Sequence, residues 1–353
     1  MGCRRRSASR RTANQRSFRS TRTALPSRSC STSQPETNGD RGAAGRRGQF
    51  SWSPDGSTVA FGFRLLRSAG GDRDERSGRT RTVVASEHGE RPTTVSPEAI
   101  TYTAFDGLEI PAFFFRPEGD GRFPAVIEIH GGPEHQRHLD YNVRSGPAIQ
   151  YLVALGYAVL ALNVRGTGYG KSYSHLDDKG LRLDSVTDVV HAGQWLRRIE
   201  DIDFDKIAVF GASYGGFMTL ASLAFHPGAL GGRHRTRRHR ELRHLPRTAL
   251  RLATQAPGSR VRFLEEDREM LERISPVHKI DQVVAPLLIF HGREDPRVPV
   301  YESEQMAEAL QARGVDVGLT IFEDEGHSIT KRKNILAAFA EMGAFLDRVL
   351  ATE

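Results

Sequence analysis

From Ala99 onward, short apolar runs alternate with stretches whose apolar residues recur at helical spacing. Ile100 to Phe105 and Leu108 to Phe115 read as strands around Asp106-Gly107, which predicts a hairpin with a two-residue turn. Pro124 to Ile129 is an apolar strand running into His130-Gly-Gly-Pro133. A helix over Ala148 to Leu155 ends at Gly156, and Tyr157 to Leu162 is the next buried strand. The loop 163–170 follows, then a helix from Asp184 to Ile199 with Val186, Val189, Val190, Trp195 and Leu196 on its spacing. Ile207 to Phe210 is a short strand and Phe217 to Ala224 a helix. Ala285 to Phe290, Tyr301 to Ala312, Val317 to Phe322 and Ile335 to Leu350 then read strand, helix, strand, helix. This alternation predicts an α/β domain: a mostly parallel sheet with helices on both faces.

Two stretches fall outside the pattern. Residues 1–47 are rich in Arg, Ser and Thr and nearly free of large apolar side chains, so they read as a disordered basic segment. Residues 231–262 interrupt the alternation with Arg233-His-Arg-Thr-Arg-Arg-His-Arg240 where another buried strand is expected. We read 231–262 as aberrant, either a stretch translated out of frame or a basic surface lobe. Between 1–47 and the regular region, Ser53-Pro-Asp-Gly56 marks a tight turn beside the strand Thr58 to Phe63. Residues 48–96 thus read as a hairpin, which resembles one hairpin of a β-propeller blade, and a linker, and 97–353 as the α/β domain.

Charge follows the same division. The whole chain carries a net +7, yet residues 1–47 hold twelve Arg against Glu36 and Asp40, and 231–262 hold ten Arg against Glu241 alone. The remainder is therefore acidic, which argues against a nucleic-acid partner. Both cysteines, Cys3 and Cys30, lie in the basic segment, so no disulfide framework is expected. No apolar run approaches the ~18 residues of a membrane span. These features lead us to expect a cytoplasmic protein with no membrane partner.

The candidate chemistry sits at the carboxyl ends of the strands. Gly211-Ala-Ser213-Tyr-Gly215 fits the G-x-S-x-G pattern between a strand and a helix. Such a turn exposes the Ser213 hydroxyl as a nucleophile, and only tiny residues two positions either side avoid a clash. A serine needs a general base, and the base needs a carboxylate to hold its tautomer. Asp295 follows the Leu287–Phe290 strand and is preferred to Glu294; His327 follows the last strand. Backbone N–H groups of Tyr214 and Gly132 are the candidate oxyanion donors, with Gly131 as the alternative to Gly132. His130 reads as structural. No metal-ligand spacing appears and Gly166-Thr-Gly-Tyr-Gly170 lacks a P-loop context, so no cofactor is expected.

Taken together, these motifs resemble the catalytic domain of the prolyl oligopeptidase family of serine peptidases, nearest its acylaminoacyl-peptidase and dipeptidyl-peptidase-like branch. The residues carrying the resemblance are His130-Gly-Gly-Pro133, Asn163-Val-Arg-Gly-Thr-Gly-Tyr-Gly170, Gly211-Ala-Ser-Tyr-Gly-Gly216, Ile274-Ser-Pro276, His291-Gly-Arg-Glu-Asp-Pro-Arg-Val-Pro299 and Gly326-His327. The resemblance implies an α/β-hydrolase fold and hydrolysis of peptide or acyl-peptide bonds through Ser213, Asp295 and His327. It also implies a substrate-binding role for Arg268. Family members carry a complete propeller, of which this sequence shows one hairpin, and the Arg165-Gly-Thr-Gly168 loop is one residue shorter than the usual pattern. A carboxylesterase-like acyl hydrolase and an inactive, truncated or frameshifted family member are the alternatives. A nucleic-acid binder using the Arg-rich segments is a third.

Overall fold

A computed structural model describes residues 45–52, 54–55, 59–65, 94–138, 146–230 and 268–350. The segments read as disordered (1–47) and aberrant (231–262) lie outside the described residues, apart from 45–47. Strands β1 (Gly45–Trp52) and β2 (Val59–Leu65) pair antiparallel with Trp52 opposite Val59. The two strands of the expected hairpin are therefore paired, while Ser53 and Gly56 of its turn lie outside the described residues.

Strands β3 (Glu98–Thr103) and β4 (Glu109–Phe115) form the second hairpin, with Thr103 opposite Glu109. Its turn differs from the expected two-residue form. Ala104 N–H donates to Leu108 O (2.8 Å) and Gly107 N–H to Ala104 O (3.1 Å), closing a three-residue loop over Phe105, Asp106 and Gly107. Gly107 at φ +85° supplies the left-handed residue that such a bulged turn requires.

Strands β5 (Phe123–Ile129), β6 (Ala158–Leu162) and β7 (Ile202–Gly211) complete a five-stranded sheet of order β3-β4-β6-β5-β7. The β5–β6 and β5–β7 pairs are parallel, while β4–β6 and β3–β4 are antiparallel. The sheet is thus mixed at the β3 edge. Every residue of β6 is buried, as a central strand covered on both faces must be.

Period-two alternation sends Ile110, Ala112, Phe114, Ile127, Ile129, Leu160 and Leu162 to one face. There they meet Val186, Val189, Ala192 and Leu196 of α3 (Arg182–Leu196) and Met218 and Ala221 of α4 (Tyr214–Phe225). The opposite face presents Phe113, Phe115, Val126 and Val159 to α1 (Gly146–Ala154) and to the C-terminal helix α7 (Arg332–Leu350). Between α1 and α3 the only other α-helix of the described residues is the single turn α2 (Lys171–Ser174).

The rest of the chain builds a second, smaller layer. Helix α5 (Arg268–Ile274) leads through a 3-10 segment (Pro276–Gln282) to β8 (Leu287–Gly292). Helix α6 (Val300–Gln311) returns the chain to β9 (Val317–Phe322), parallel to β8 with Leu287 opposite Val317. Among the described residues, β7 and β8 are not hydrogen-bonded to each other, so β8–β9 is a separate sheet. Side chains join the two: Ala224 of α4 packs with Val277, Ile280, Leu287, Met306 and Leu310, and Phe210 and Phe290 share a cluster with Met342.

Candidate active site

Ser213 sits between β7 and α4 at φ +58° and ψ −119°, a left-handed conformation rare for a residue with a side chain. Holding it there costs about 1–3 kcal/mol, which the surrounding packing must supply. The glycines explain how. A Cβ on Gly211 would run into the carbonyl of Gly215, and one on Gly215 would run into the Ile129 carbonyl of β5. Gly215 N–H donates to Ala212 O (2.9 Å) and Phe217 N–H to Ser213 O (3.1 Å), so the helix begins directly at the elbow. This is why α4 starts at Tyr214, three residues before the start read from its apolar spacing.

The structure brings Ser213, His327 and Asp295 together from two sheets. His327 Nε2 lies 3.0 Å from Ser213 Oγ, and His327 Nδ1 lies 2.8 Å from Asp295 Oδ2. A carboxylate oxygen only accepts, so Nδ1 carries the proton and Nε2 is left to accept from the serine hydroxyl. Asp295 Oδ1 takes the N–H groups of Arg297 (2.7 Å) and Val298 (3.0 Å). Burial alone would push the Asp295 carboxyl up; the Val298 and Arg297 amides and His327 outweigh it and hold it below the usual carboxylate range. Glu294 takes no part, its N–H donating instead to Glu325 O at 3.0 Å.

The loop after β5 lies against the elbow. A Cβ on Gly131 would stand 2.7 Å from Ala212 O and 3.2 Å from Ser213 Cβ, so close approach requires glycine there. Gly132 turns the loop at φ +67°. No hydrogen bond among the described residues uses the N–H of Tyr214 or of Gly132. The loop is fastened where it returns to the sheet: Arg137 pairs with the buried Glu128 of β5. Arg137 N–H also donates to Asn163 Oδ1 (2.7 Å), and Asn163 Nδ2 donates to Arg137 O (3.1 Å). His130 is buried, with Nδ1–H donating to Gly131 O at 3.1 Å, and burial pushes its pKa down to about 4. It is held neutral at pH 7 and makes no hydrogen bond with Ser213, Asp295 or His327.

The Tyr214 side chain is locked on the far side of the elbow. Its hydroxyl donates to Asp177 Oδ2 (3.2 Å), and the Arg182 guanidinium lies 5.2 Å from its ring centroid. The loop after β6 is pinned by Arg165, whose guanidinium donates to buried Asp188 and, at 2.8 Å and 3.0 Å, to Asp106 on the β3–β4 turn. Arg268 opens α5 with an exposed side chain and makes no hydrogen bond or ion pair with Ser213, His327 or Asp295.

Two residues of the site hold its loops through bonds that the sequence does not assign to them. His291 bonds Ser303 Oγ (2.6 Å) through Nδ1 and donates from Nε2 to Val298 O (2.9 Å), clamping the Asp295 loop. Glu325 is buried and bonded across the His327 loop. His291 opens the stretch that carries Asp295 and Glu325 precedes His327, but their partners lie on other segments.

The model of the prolyl oligopeptidase family matches residues 144–232 and 248–353, more than half of the chain. This chain belongs to the prolyl oligopeptidase family. It is 32% identical over 252 residues to dipeptidyl aminopeptidase BIII of Pseudoxanthomonas mexicana, covering 66% of this chain and 34% of that protein. It is 26% identical over 255 residues to acylamino-acid-releasing enzyme 1 of rice (Oryza sativa subsp. japonica), covering 69% of this chain and 32% of that enzyme. The chain thus spans about a third of the length of these curated relatives. A solved puromycin-hydrolyzing peptidase of Mycobacterium tuberculosis superposes with a TM-score of 0.67 at 22% identity, covering 86% of this chain and 46% of the other. That likeness shows the α/β-hydrolase fold. The match to the family model resumes at residue 248, inside the stretch read as aberrant.

Proposed function

We propose that this chain is a serine-type peptidase that hydrolyses short peptides or acyl-peptides through an acyl-enzyme intermediate. One observation carries the reading: an unbroken relay from Ser213 Oγ through His327 to Asp295, on a strained elbow built by glycines. In this reading Ser213 Oγ attacks the scissile carbonyl while His327 Nε2 takes its proton. The carbonyl oxygen gains negative charge and accepts hydrogen bonds from the N–H groups of Tyr214 and Gly132, which no partner among the described residues occupies. His327 then gives its proton to the departing amine, the C–N bond breaks, and the acyl group stays on Ser213. Water, deprotonated by the same His327, releases the acid and restores the serine. Asp295, ionised at neutral pH, holds the imidazole tautomer and stabilises the imidazolium.

The substrate class draws on the relatives, a dipeptidyl aminopeptidase and an acylamino-acid-releasing enzyme. In the same reading residues 97–353 form the catalytic domain and Arg268, exposed at the start of α5, binds a substrate carbonyl. Arg268→Ala then raises KM and leaves kcat unchanged. We also place the protein in the cytoplasm, on the location of both cysteines in the basic segment; among the described residues no helix is long and apolar enough to cross a membrane.

Turnover of a peptide p-nitroanilide beside a p-nitrophenyl ester tests the proposal, with fluorophosphonate labelling of Ser213 as the direct readout. Labelling with cleavage of both substrates is expected. Ester turnover alone would replace the peptidase reading by an esterase, and a chain that takes no probe is not a hydrolase.

A further inference from the structure

The Asp295 and His327 loops both leave the small β8–β9 sheet, and their 2.8 Å contact needs each loop held to a fraction of an ångström. The bonds that do this converge on one side chain. Glu325 leaves only 3% of its surface exposed, two residues before His327. Its Oε2 accepts the N–H of Thr330 (3.1 Å) and the Thr330 hydroxyl (3.0 Å). Its Oε1 accepts the N–H of Lys331 (2.8 Å) and Asn334 Nδ2 (2.8 Å). The carboxylate therefore reaches from the start of the loop to its end and closes 325–331 into a ring that carries His327.

The backbone of the same residue holds the other loop. Glu325 O accepts the N–H of Glu294, the neighbour of Asp295, and Glu325 N–H donates to Phe322 O at the end of β9. Gly292 lies beneath, where a Cβ would stand 2.5 Å from Glu325 O. Burial by itself would push this carboxyl up. The Asn334 amide, the Lys331 and Thr330 N–H groups and the Thr330 hydroxyl reverse that, so it stays below the usual range and ionised. An outer set of charges, Asp324 with Lys331 and Lys333, lies on the exposed side of the ring.

The geometry points to Glu325 as the positioning residue that sets the His327–Asp295 distance, acting on the reaction without touching substrate. The inference rests on the catalytic reading of Ser213, Asp295 and His327. It predicts a defect in the chemical step, since a misplacement of about 1 Å costs roughly 10²-fold in rate. Removing the carboxylate opens the ring and lets the imidazole leave Asp295. A glutamine keeps the shape and part of the acceptor set, so it should recover part of what alanine loses.

The test uses the full chain. The hydrogen-bonded Nδ1–H proton of His327 gives a proton NMR resonance downfield of the backbone amides, and fluorophosphonate uptake by Ser213 gives a rate. Glu325→Ala is expected to abolish the resonance and slow uptake roughly 10²-fold. Glu325→Gln should retain a shifted resonance and lose less rate. Thr320→Val, which removes the bond from β9 to Glu341 on α7, should leave both readouts intact. A folded Glu325→Ala with the wild-type resonance and rate overturns the inference. Where alanine does not fold, a Glu325→Gln indistinguishable from wild type overturns it equally. A wild-type chain that shows the resonance but takes no probe refutes the hydrolase reading and leaves the resonance to decide Glu325. A wild-type chain that takes the probe without showing the resonance overturns the inference about Glu325 and leaves the hydrolase reading in place.

Discussion

The site is assembled from two unequal halves. Ser213 belongs to a five-stranded sheet whose central strands are buried on both faces, with α3 and α4 on one side and α1 and α7 on the other. Asp295 and His327 belong to a two-stranded sheet with no ladder of its own to β7 among the described residues. In the first half, backbone hydrogen bonds and close packing over-determine a strained serine. In the second, side chains such as Glu325 and His291 hold two loops in register. The halves meet through apolar contacts of α4 with the 3-10 segment and of Phe210 with Phe290, and through the Ser213–His327 hydrogen bond. Packing without a shared ladder is the weaker joint, so the relay should fail there first.

The largest effect expected is chemical. Ser213→Ala should abolish hydrolysis by roughly 10⁴-fold or more while leaving the melting temperature of both halves in place. Its removal takes away a hydroxyl and one interface bond and opens no cavity. Retained turnover in a chromogenic assay would refute the nucleophile, whichever half is the weaker.

Next come two buried leucines, one per half. Leu160 of β6 and Leu310 of α6 are both fully buried, and either truncation to alanine should cost about 2–5 kcal/mol in urea unfolding. The distribution of that loss tests the comparison. Leu310→Ala is expected to speed amide exchange in β8, β9 and the His327 loop while β5 and β6 keep their protection, and to slow Ser213 labelling before global unfolding. Leu160→Ala should loosen the whole domain. Uniform exchange in both variants would mean that the halves are one cooperative unit.

The smallest effect is a difference in acid response. His130, in the first half, has a folded pKa of about 4 against an ordinary value near 6.5. The unfolded chain therefore binds a proton before the folded one, and stability is lost as pH falls from 6.5 towards 4, by about 2 kcal/mol at pH 5. His226 at the end of α4 is shifted the same way by burial and by His191. Asp295 and Glu325, in the second half, are lowered, so their contribution is present above the ordinary carboxylate range and lost only below it. Urea midpoints at pH 7 and pH 5 should converge in His130→Gln. An unchanged gap would remove His130 as the cause.

Much of this is legible in the amino-acid sequence. Apolar periodicity located the strands and helices from Ala99 on, and β9 begins and ends where its pattern does. The meeting of Ser213, Asp295 and His327 was legible because a serine elbow, a carboxylate and a histidine each stand just past a strand end. The turn at Asp106-Gly107 was misread, since Asp-Gly suits both a two-residue turn and the bulged three-residue turn that formed. The antiparallel β3–β4 pair was visible as a hairpin, but the antiparallel pairing of β4 with β6 was not, because a strand's neighbours leave no mark on its apolar content. Glu325 and His291 were passed over because a buried polar group is recognised by its partners, which lie at the other end of a loop or on the next helix.

The sequence by itself determined which residues are chemically able to act and which elements carry them, because local spacing and strained glycine turns are local properties. Tertiary structure alone decided that Gly131 takes the close contact with the elbow while Gly132 turns the loop, and it set the 2.8 Å contact of Asp295 with His327. It also decided that the three residues of the relay come from two separate sheets. Those choices turn on distances of a few tenths of an ångström between segments far apart in the chain, and such distances are set by how the layers pack.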